Sequence, residues 1–298
     1  MRNLVVVRCG SASLHGAWLD GDWDSRSFDM VCSYYDEAAF HAHETRPGLE
    51  AVLVKGGKWD GIAATLAGRP DLLAYDRYWF PDDDIAATLD DINRIFDLTQ
   101  FFGLAVSQPA LTRDSYFSHV HLLRCDGFLL RFTNNVEVMV PCLTRETLLA
   151  CLPLMGLSKS AFGLDWIWAM LRPGANQTAA VMDAVAVRHT RPVGSQLART
   201  MDDAETAAER TRLLDMAGIS EPPYCFCYGG ITEAGRKTKS KAGMGWVIWK
   251  NGRRHAAMSP EPAKLRKDAF KALRRHLLYR MDNRQIILPA SAGGGPQR

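Results

Sequence analysis

The stretch Tyr78-Trp79-Phe80-Pro81-Asp82-Asp83-Asp84-Ile85 places three consecutive carboxylates directly after an aromatic, strand-like run. Like charges on adjacent positions repel one another, and at the end of a buried strand they also lose hydration. A divalent cation with oxygen ligands compensates for both effects, so the stretch favours a metal site. A solvated acidic loop that caps the next helix is the alternative, because Asp is favoured at N-caps and in first turns.

The size and composition are those of a globular protein. The chain has 298 residues, 47% hydrophobic and 23% charged, which is enough for one large core or two smaller ones. The N-terminal apolar run, residues 4–7, is too short for a signal sequence or a membrane span. The seven cysteines are scattered, and only Cys225 and Cys227 lie close together, which indicates reduced thiols. These features predict a cytoplasmic protein.

The formal net charge of +3 is too small to suggest nucleic acid as a partner, but it is unevenly distributed. Acidic residues gather at 82–97 and 202–209, whereas 236–241 and 264–280 are basic. The segment 264–280 predicts a basic helix, for which two interpretations stay open. It either makes a peripheral membrane contact or forms a solvated face.

Short apolar runs alternate with longer amphipathic stretches in the first part of the chain. Strands are predicted at 4–7, 28–34, 51–54, 75–80 and 104–108. This alternation indicates an α/β domain with a largely buried sheet. Residues 85–102 have apolar side chains at helical spacing and end at Gly103, so they predict a helix. The carboxylates therefore lie where a strand ends, at the edge where open α/β sheets bind ligands.

The middle of the chain continues the same pattern, and its end differs. Further strands are predicted at 127–131, 136–141 and 181–188, with helices at 145–152 and 164–171. Later elements are a charged helix at 196–217, a strand at 246–250 and a basic helix at 262–279. We therefore divide the chain into a main domain (1–195), an α-rich C-terminal appendix (196–289) and a disordered tail (290–298).

A basic turn follows the third strand, and two familiar phosphate motifs are missing. The sequence contains neither Gly-x-Gly-x-x-Gly after the first strand nor a Walker-type loop, which disfavours dinucleotide enzymes and P-loop NTPases. Lys55-Gly56-Gly57-Lys58 offers a close backbone approach and two ammonium groups to phosphates. An ordinary solvated turn is the alternative.

Two further side chains are candidates for chemistry. His189 ends a predicted strand, and a neutral imidazole is a common ligand of divalent transition ions, so His189 is a candidate to complete a carboxylate site. A hydrogen-bonded loop histidine is the alternative. Asp165 stands in Gly-Leu-Asp-Trp as a candidate general base, because partial burial raises carboxylate basicity. A first-turn Asp that stabilises its helix is the alternative.

Seven motifs in fixed order resemble a family shared by plants and bacteria that is filed as a domain of unknown function. They span residues 3–195 and lie at 3–10, 55–59, 79–85, 107–116, 135–142, 163–166 and 189–194. An older label of that family refers to lysine-ketoglutarate reductase trans-splicing. The missing dinucleotide fingerprint gives this label no support as an enzymatic activity.

The same order of motifs resembles the GT-A fold of nucleotide-sugar glycosyltransferases, a Rossmann-like mixed sheet flanked by helices. In that superfamily a strand ends in Asp-x-Asp, a later helix supplies a base, and a His after a late strand joins the metal shell. The resemblance implies that Asp82 and Asp84 form the Asp-x-Asp pair and that His189 is the late metal ligand. Asp84 would bind the ion directly, and Asp82 would hold the ribose or a metal-bound water. Asp165 would be the base.

Four more residues would border the nucleotide by looser matches, and they are Arg8, Asp36, Lys55 and Lys58. The resemblance implies a metal-dependent glycosyltransferase that uses Mn²⁺ or Mg²⁺ and a nucleoside-diphosphate sugar. The acceptor would be a hydroxyl of a carbohydrate or a lipid-linked acceptor, and a base at Asp165 implies inversion. A sugar nucleotidyltransferase and a non-catalytic carbohydrate-binding or scaffold protein stay open as alternatives. Residues 196–298 inherit nothing from the resemblance.

Overall fold

The computed structural model describes residues 1–171, 178–194, 201–282, 284–286 and 288. The strands are Asn3–Cys9 (β1), Asp29–Tyr34 (β2), Leu49–Leu53 (β3), Arg77–Trp79 (β4), Ile85–Ala86 (β5), Leu104–Leu111 (β6), Phe128–Thr133 (β7), Cys142–Thr144 (β8), Thr178–His189 (β9), Cys227–Thr232 (β10) and Lys237–Thr238 (β11). The α-helices are Glu37–His41 (α1), Lys58–Gly68 (α2), Leu89–Phe101 (α3), Arg145–Met155 (α4), Leu164–Met170 (α5), Asp203–Met216 (α6), Lys241–Arg254 (α7) and Pro262–Leu278 (α8).

A mixed sheet forms the centre of the molecule, in the order β11-β10-β7-β9-β6-β8-β4-β1-β2-β3. The neighbours β4, β1, β2 and β3 are parallel, so their carboxyl ends meet at one edge. β8 runs antiparallel between β4 and β6, and β5 pairs with the end of β9. The prediction of an α/β fold with a mixed sheet flanked by helices is confirmed.

Side chains of β1 alternate between two cores, as the two-residue period of a strand requires. Val5 and Val7 pack in a core that includes residues of α3, α7 and α8. Leu4 and Val6 pack in a second core with residues of α2, α4, α5 and α6. Both faces of β1 are therefore buried, which explains why the strand is a continuous apolar run.

The helix predicted at 85–102 begins four residues later than expected. Thr88 is its N-cap and accepts from the backbone N–H of Asp91 at 3.1 Å, while the Asp91 carboxylate accepts from the backbone N–H of Thr88 at 2.9 Å. This capping box replaces the acidic triplet as the cap. Ile85 and Ala86 instead form a strand, so residues 82–84 are free for another role.

Two predicted strands are wrong. Residues 246–250 lie inside α7, where Gly245 allows close contact with α8, because a Cβ there would lie 2.5 Å from the Cβ of His276. Their apolar residues suggested a strand, but packing against α8 overrides β propensity. Residues 136–141 are irregular, and the strand follows as β8. Backbone carbonyls of this segment accept hydrogen bonds from side chains. Trp168 donates to the carbonyl of Val136, and Lys58 donates to that of Val138.

The described part of the predicted appendix extends the main sheet. β10 pairs antiparallel with β7, and Met244, Ile248 and Leu265 belong to the same core as β1. The helices predicted at 196–217 and 262–279 are observed at Asp203–Met216 and Pro262–Leu278. Residues 195–200 and 289–298 lie outside the described residues, so the boundary at 195 and the disordered tail stay predictions.

A buried ion pair joins β7 to β9. The Arg131 guanidinium donates to both carboxylate oxygens of Asp183, at 2.7 and 2.9 Å, and both side chains have no exposed surface. Arg131 also donates to the carbonyls of His121 and Leu123, and the backbone N–H of Cys125 donates to Asp183. The pair thus holds the 121–125 segment against the sheet with its hydrogen bonds satisfied.

We expect Arg131→Met to lower the free energy of unfolding by about 3–5 kcal/mol, because it leaves the Asp183 carboxylate buried and unpaired. Urea-induced unfolding followed by circular dichroism measures this loss. The same change at the exposed Arg266 is the control. Adding Asp183→Leu to Arg131→Met should recover most of the loss, because an apolar replacement of a whole buried pair is often neutral. Equal losses in Arg131→Met and Arg266→Met would contradict this expectation.

Candidate functional site

Backbone pairing brings the acidic triplet to the end of β9. The Asp82 N–H donates to the carbonyl of Met139 at 2.8 Å, and Ile85 pairs with His189 in the antiparallel β5–β9 ladder. Thr190 donates to the carbonyl of Asp84 through its N–H at 3.2 Å and its hydroxyl at 2.8 Å. Asp84 and His189, which are more than a hundred positions apart in the chain, are thereby held side by side.

His189 and Asp84 are in contact at this point. Nε2 of His189 lies 3.3 Å from Oδ2 of Asp84, and both side chains are almost fully buried. Nδ1 lies 3.2 Å from the carbonyl of Tyr116. Since a carbonyl only accepts, a hydrogen bond here needs the proton on Nδ1, and Nε2 is then an acceptor whenever the ring carries a single proton. Two buried acceptors in contact require a proton or a cation between them.

The surroundings of Asp84 oppose its negative charge. Burial is the main cause that raises the pKa of the Asp84 carboxyl. The neighbouring charges of Asp82 and Asp83 raise it further, whereas His189 and Arg191 lower it. A bound divalent ion would remove this conflict, because it favours the ionised carboxylate.

Lys58 and Asp82 form a half-buried ion pair beside this point. The Lys58 ammonium lies 2.5 Å from Oδ1 of Asp82, and it also donates to the carbonyls of Val138 at 2.6 Å and Met139 at 3.1 Å. Burial lowers the pKa of Lys58, and the attraction of Asp82 opposes that change. The pair therefore ties the start of α2 to the acidic triplet.

The side chains of Asp82, Asp84 and His189 form a metal-sized cluster. One ligand atom from each lies within 4.8 Å of the others. Two carboxylates and an imidazole are ligands that Mn²⁺ and Mg²⁺ accept, so the donor set fits the cofactor predicted from the sequence.

Asp83 has a different environment from its two neighbours. Its carboxylate accepts from the hydroxyl of Tyr35 and from Arg191, both at 3.0 Å. Arg191 also donates to the carbonyl of Ala12. Each carboxylate oxygen of Asp83 therefore has one hydrogen-bond donor. These contacts connect the loops after β1, β2 and β9.

Arg8 is buried beneath the edge of the sheet. Its guanidinium donates to the hydroxyl of Ser33 at 2.7 Å and to the carbonyls of Val54 and Gly56 at 2.8 and 2.9 Å. Burial lowers its pKa. Gly56 has φ of 126°, which side chains disfavour, so the turn needs glycine there. Arg8 shapes the Lys55-Gly56-Gly57-Lys58 turn through these contacts.

Asp36 and Lys55 lie at the same sheet edge, after β2 and β3. Asp36 is the N-cap of α1 and accepts from the N–H of Ala39 at 3.1 Å, which is the main cause that lowers its pKa. Lys55 is exposed, and its ammonium lies 3.3 Å from the carbonyl of Tyr35. The structure therefore brings the predicted nucleotide-bordering residues to one edge, with Asp36 and Lys55 nearer to solvent than Arg8.

Asp165 lies in the first turn of α5, outside the cluster of Asp82, Asp84 and His189. Asn135 donates to its Oδ2 at 3.1 Å. Burial is the main cause that raises the pKa of Asp165, with a smaller increase from Glu137, while His119 opposes both. Asp165 is thus a carboxylate with a raised pKa that accepts from an amide, and its role as the base stays a prediction.

Glu137 was not among the residues singled out from the sequence. It is only 5% exposed, and its Oε2 has no hydrogen-bond partner within the part of the chain that the structure describes. Burial is the main cause that raises the pKa of Glu137. The charge of Asp82 raises it further, and that of His189 lowers it. Because Glu137 also acts on Asp165, it links the metal cluster to the candidate base. Its sequence signal was one charged residue within an apolar run, Val136-Glu137-Val138-Met139-Val140.

No family model and no curated protein matches the chain, so the resemblance to the plant and bacterial family has no support of that kind. Solved structures do match. One is GalNAc-T7 with UDP, GalNAc and Mn²⁺, with a TM-score of 0.50 and 9% identity over 72% of this chain and 47% of that one. Another is S. aureus TarS 1–349 with UDP-GlcNAc, with a TM-score of 0.50 and 11% identity over 93% of this chain and 82% of that one.

These likenesses show that the chain has a GT-A-like fold, as the order of its motifs implied. The chain spans about half the length of the GalNAc-T7 structure. Among the described helices, none is long and apolar enough to cross a bilayer.

We expect Mn²⁺ to raise the thermal unfolding midpoint, because an ion that binds only the folded state stabilises it, by about 2.7 kcal/mol at a hundred times its Kd. Asp84→Asn should remove most of this increase. In EDTA the same variant should unfold at an equal or higher temperature than the unmodified protein, because the buried carboxylate is disfavoured there. Differential scanning calorimetry measures both effects.

The exposed Asp97 in α3 supplies the matched control, since Asp97→Asn removes a charge outside the acidic triplet. It should leave the Mn²⁺ response intact. An unchanged response in Asp84→Asn would argue against a metal at this cluster.

Proposed function

We propose that the protein is a metal-dependent glycosyltransferase that moves a sugar from a nucleoside-diphosphate sugar to an acceptor hydroxyl. The carrying observation is the contact between Asp84 and His189, a buried carboxylate and imidazole that can share a cation at the carboxyl edge of a GT-A-like sheet. The GT-A-like fold supports a nucleotide-sugar donor. Both similar structures contain UDP or a UDP-sugar, so UDP is the first nucleotide to test.

In this proposal Asp84 and His189 bind Mn²⁺ or Mg²⁺ directly, and Asp82 holds the ribose or a metal-bound water. The ion would stabilise the negative charge that develops on the leaving diphosphate. Lys58 keeps Asp82 in place through the ion pair at 2.5 Å. Arg8 supports the adjacent turn from below, and the exposed Lys55 offers its charge to the phosphates.

Asp165 would accept the proton of the acceptor hydroxyl as that oxygen attacks the anomeric carbon. Burial raises the pKa of Asp165, and a more basic carboxylate takes a proton more readily. The Asn135 amide orients one carboxylate oxygen. Direct attack from the side opposite the leaving group inverts the configuration of the sugar.

Calorimetric titration with UDP and GDP, with and without Mn²⁺, tests the proposal as a whole. We expect one nucleotide to bind in a metal-dependent manner. Absence of such binding would favour the non-catalytic carbohydrate-binding or scaffold alternative. Release of pyrophosphate from a nucleoside triphosphate and a sugar phosphate would identify a sugar nucleotidyltransferase instead.

We expect Asp165→Asn to lower kcat by about 10²–10⁴-fold, because the variant loses the general base. Metal-dependent binding of the nucleotide should persist, since Asp165 lies outside the metal cluster. Asp215→Asn, at an exposed position of α6, is the control. Full transfer activity in Asp165→Asn would exclude Asp165 as the base and favour a retaining route, which NMR of the product's anomeric configuration decides independently.

The pH profile of kcat carries a second expectation. The base must be ionised, so activity falls as the pH drops through the pKa of Asp165, and the raised pKa moves this acidic limb to higher pH than a freely solvated aspartate would give. Glu137→Gln removes a negative charge that raises this pKa, so the acidic limb should move to lower pH. An acidic limb that stays in place, or moves to higher pH, would contradict the electrostatic link between Glu137 and Asp165.

The class of acceptor and the peripheral membrane contact stay predictions. α8 exposes Phe270 and Leu277 beside the basic Lys267 and Arg274, a combination that suits an anionic lipid surface. Co-sedimentation with phosphatidylserine vesicles tests this contact, and failure to sediment would favour the solvated face. The cytoplasmic location also stays a prediction.

A further inference from the structure

A second cluster of ligating side chains lies at the paired ends of β1 and β2. Cys9 is the last residue of β1, and its strand partner is Tyr34, two positions after Cys32. Both cysteines are buried in the same core and are free thiols. His15 lies in the short 3-10 helix at residues 15–19, in the loop that follows β1. The two sulfur atoms and a ring nitrogen of His15 lie within 4.8 Å of one another.

We propose that Cys9, His15 and Cys32 bind Zn²⁺. Two thiolates and an imidazole are preferred zinc ligands, with Zn–S distances of about 2.3 Å in a tetrahedral arrangement. Sulfurs around one such ion lie about 3.8 Å apart, within the span of this cluster. The site differs in chemistry from the one at Asp82, Asp84 and His189, whose carboxylates suit a harder ion.

The strand register disfavours a disulfide between the same cysteines. Residues offset by two positions on neighbouring strands have Cα atoms about 8 Å apart, given about 3.3 Å per residue along a strand and about 4.8 Å between strands. A disulfide requires a Cα separation below about 7 Å. A metal ion bridges the larger gap without backbone movement, so the geometry favours an ion over a covalent bond.

Existing hydrogen bonds hold the His15 ring in place. Ser13 Oγ lies 2.7 Å from Nδ1, and the Tyr34 hydroxyl lies 3.3 Å from Nε2. Zn²⁺ would displace one hydroxyl, and the other would orient the ring, as outer partners do for ligating imidazoles. His15 is only half-buried, which provides an entry path for the ion.

The loop that contains His15 also contacts the acidic triplet. The backbone N–H of Leu14 donates to the carbonyl of Asp83 at 2.7 Å. An ion at Cys9, His15 and Cys32 would therefore fasten residues 10–19 to β1 and β2 beside the triplet. Its three protein ligands would leave the fourth tetrahedral position to a water on the side of the half-buried His15.

Titration of the full-length reduced, EDTA-treated protein with Co²⁺, followed by Zn²⁺, tests the proposal. Co²⁺ should produce a thiolate-to-cobalt charge-transfer band at one equivalent, and Zn²⁺ should remove the band. Cys9→Ala and Cys32→Ala should reduce or abolish the band. His15→Ala removes a proposed ligand at a half-buried loop position. It should weaken Co²⁺ binding by about 10- to 100-fold or more, because loss of an outer-shell partner alone typically costs that much.

Two controls separate this site from other possibilities. Cys151→Ala removes a buried free thiol in α4 and should leave the band unchanged. His189→Ala should also leave it unchanged, because no thiolate belongs to the cluster of Asp82, Asp84 and His189. Absence of the band, an unchanged affinity in His15→Ala, or a Cys9–Cys32 disulfide found by mass spectrometry of unreduced protein would each overturn the proposal.

Discussion

The architecture of the candidate site depends on the mutual repulsion of three adjacent carboxylates at residues 82–84. Asp82 has a cationic partner in Lys58 at the start of α2, and Asp83 has one in Arg191 after β9. Asp84 contacts His189 at the end of β9, which compensates its charge only when the ring is protonated. Like charges that are partly withdrawn from water repel strongly without such partners. Backbone pairing such as that of β5 with β9 brings these segments to one edge of the sheet, where Lys58 and Arg191 reduce the repulsion.

The compensation is unequal, and this inequality gives the triplet its functional character. Asp83 has a hydrogen-bond donor on each oxygen, so it acts as a structural anchor. Asp84 instead faces an imidazole nitrogen that is an acceptor in its neutral form. Stability alone would favour a donor at that position. A contact that is unfavourable between two unprotonated acceptors and favourable around a cation supports the metal site proposed above.

Much of the fold follows from local sequence patterns, because strands buried on both faces leave short continuous apolar runs and amphipathic helices leave a helical periodicity. The strand observed at Leu104–Leu111 and the helix observed at Pro262–Leu278 are examples. Residues 246–250 were assigned wrongly because contact between α7 and α8 is a tertiary effect. Asp84 and His189, which the sequence predicted as partners, are in contact. The β5–β9 pairing that joins them was not predictable, because β5 has only two residues and leaves no recognisable pattern in the sequence.

Glu137 shows a different limit to reading the site from sequence. A charged residue in an apolar run indicates either an exposed strand face or a buried functional group, and the pattern is the same for both. The distinction comes from the irregular backbone at 136–141, where carbonyls bind Lys58 and Trp168 instead of a neighbouring strand. That departure from strand geometry leaves the Glu137 carboxylate buried with one oxygen unpaired among the described residues. The same departure from strand geometry places Glu137 where its charge raises the pKa of Asp165.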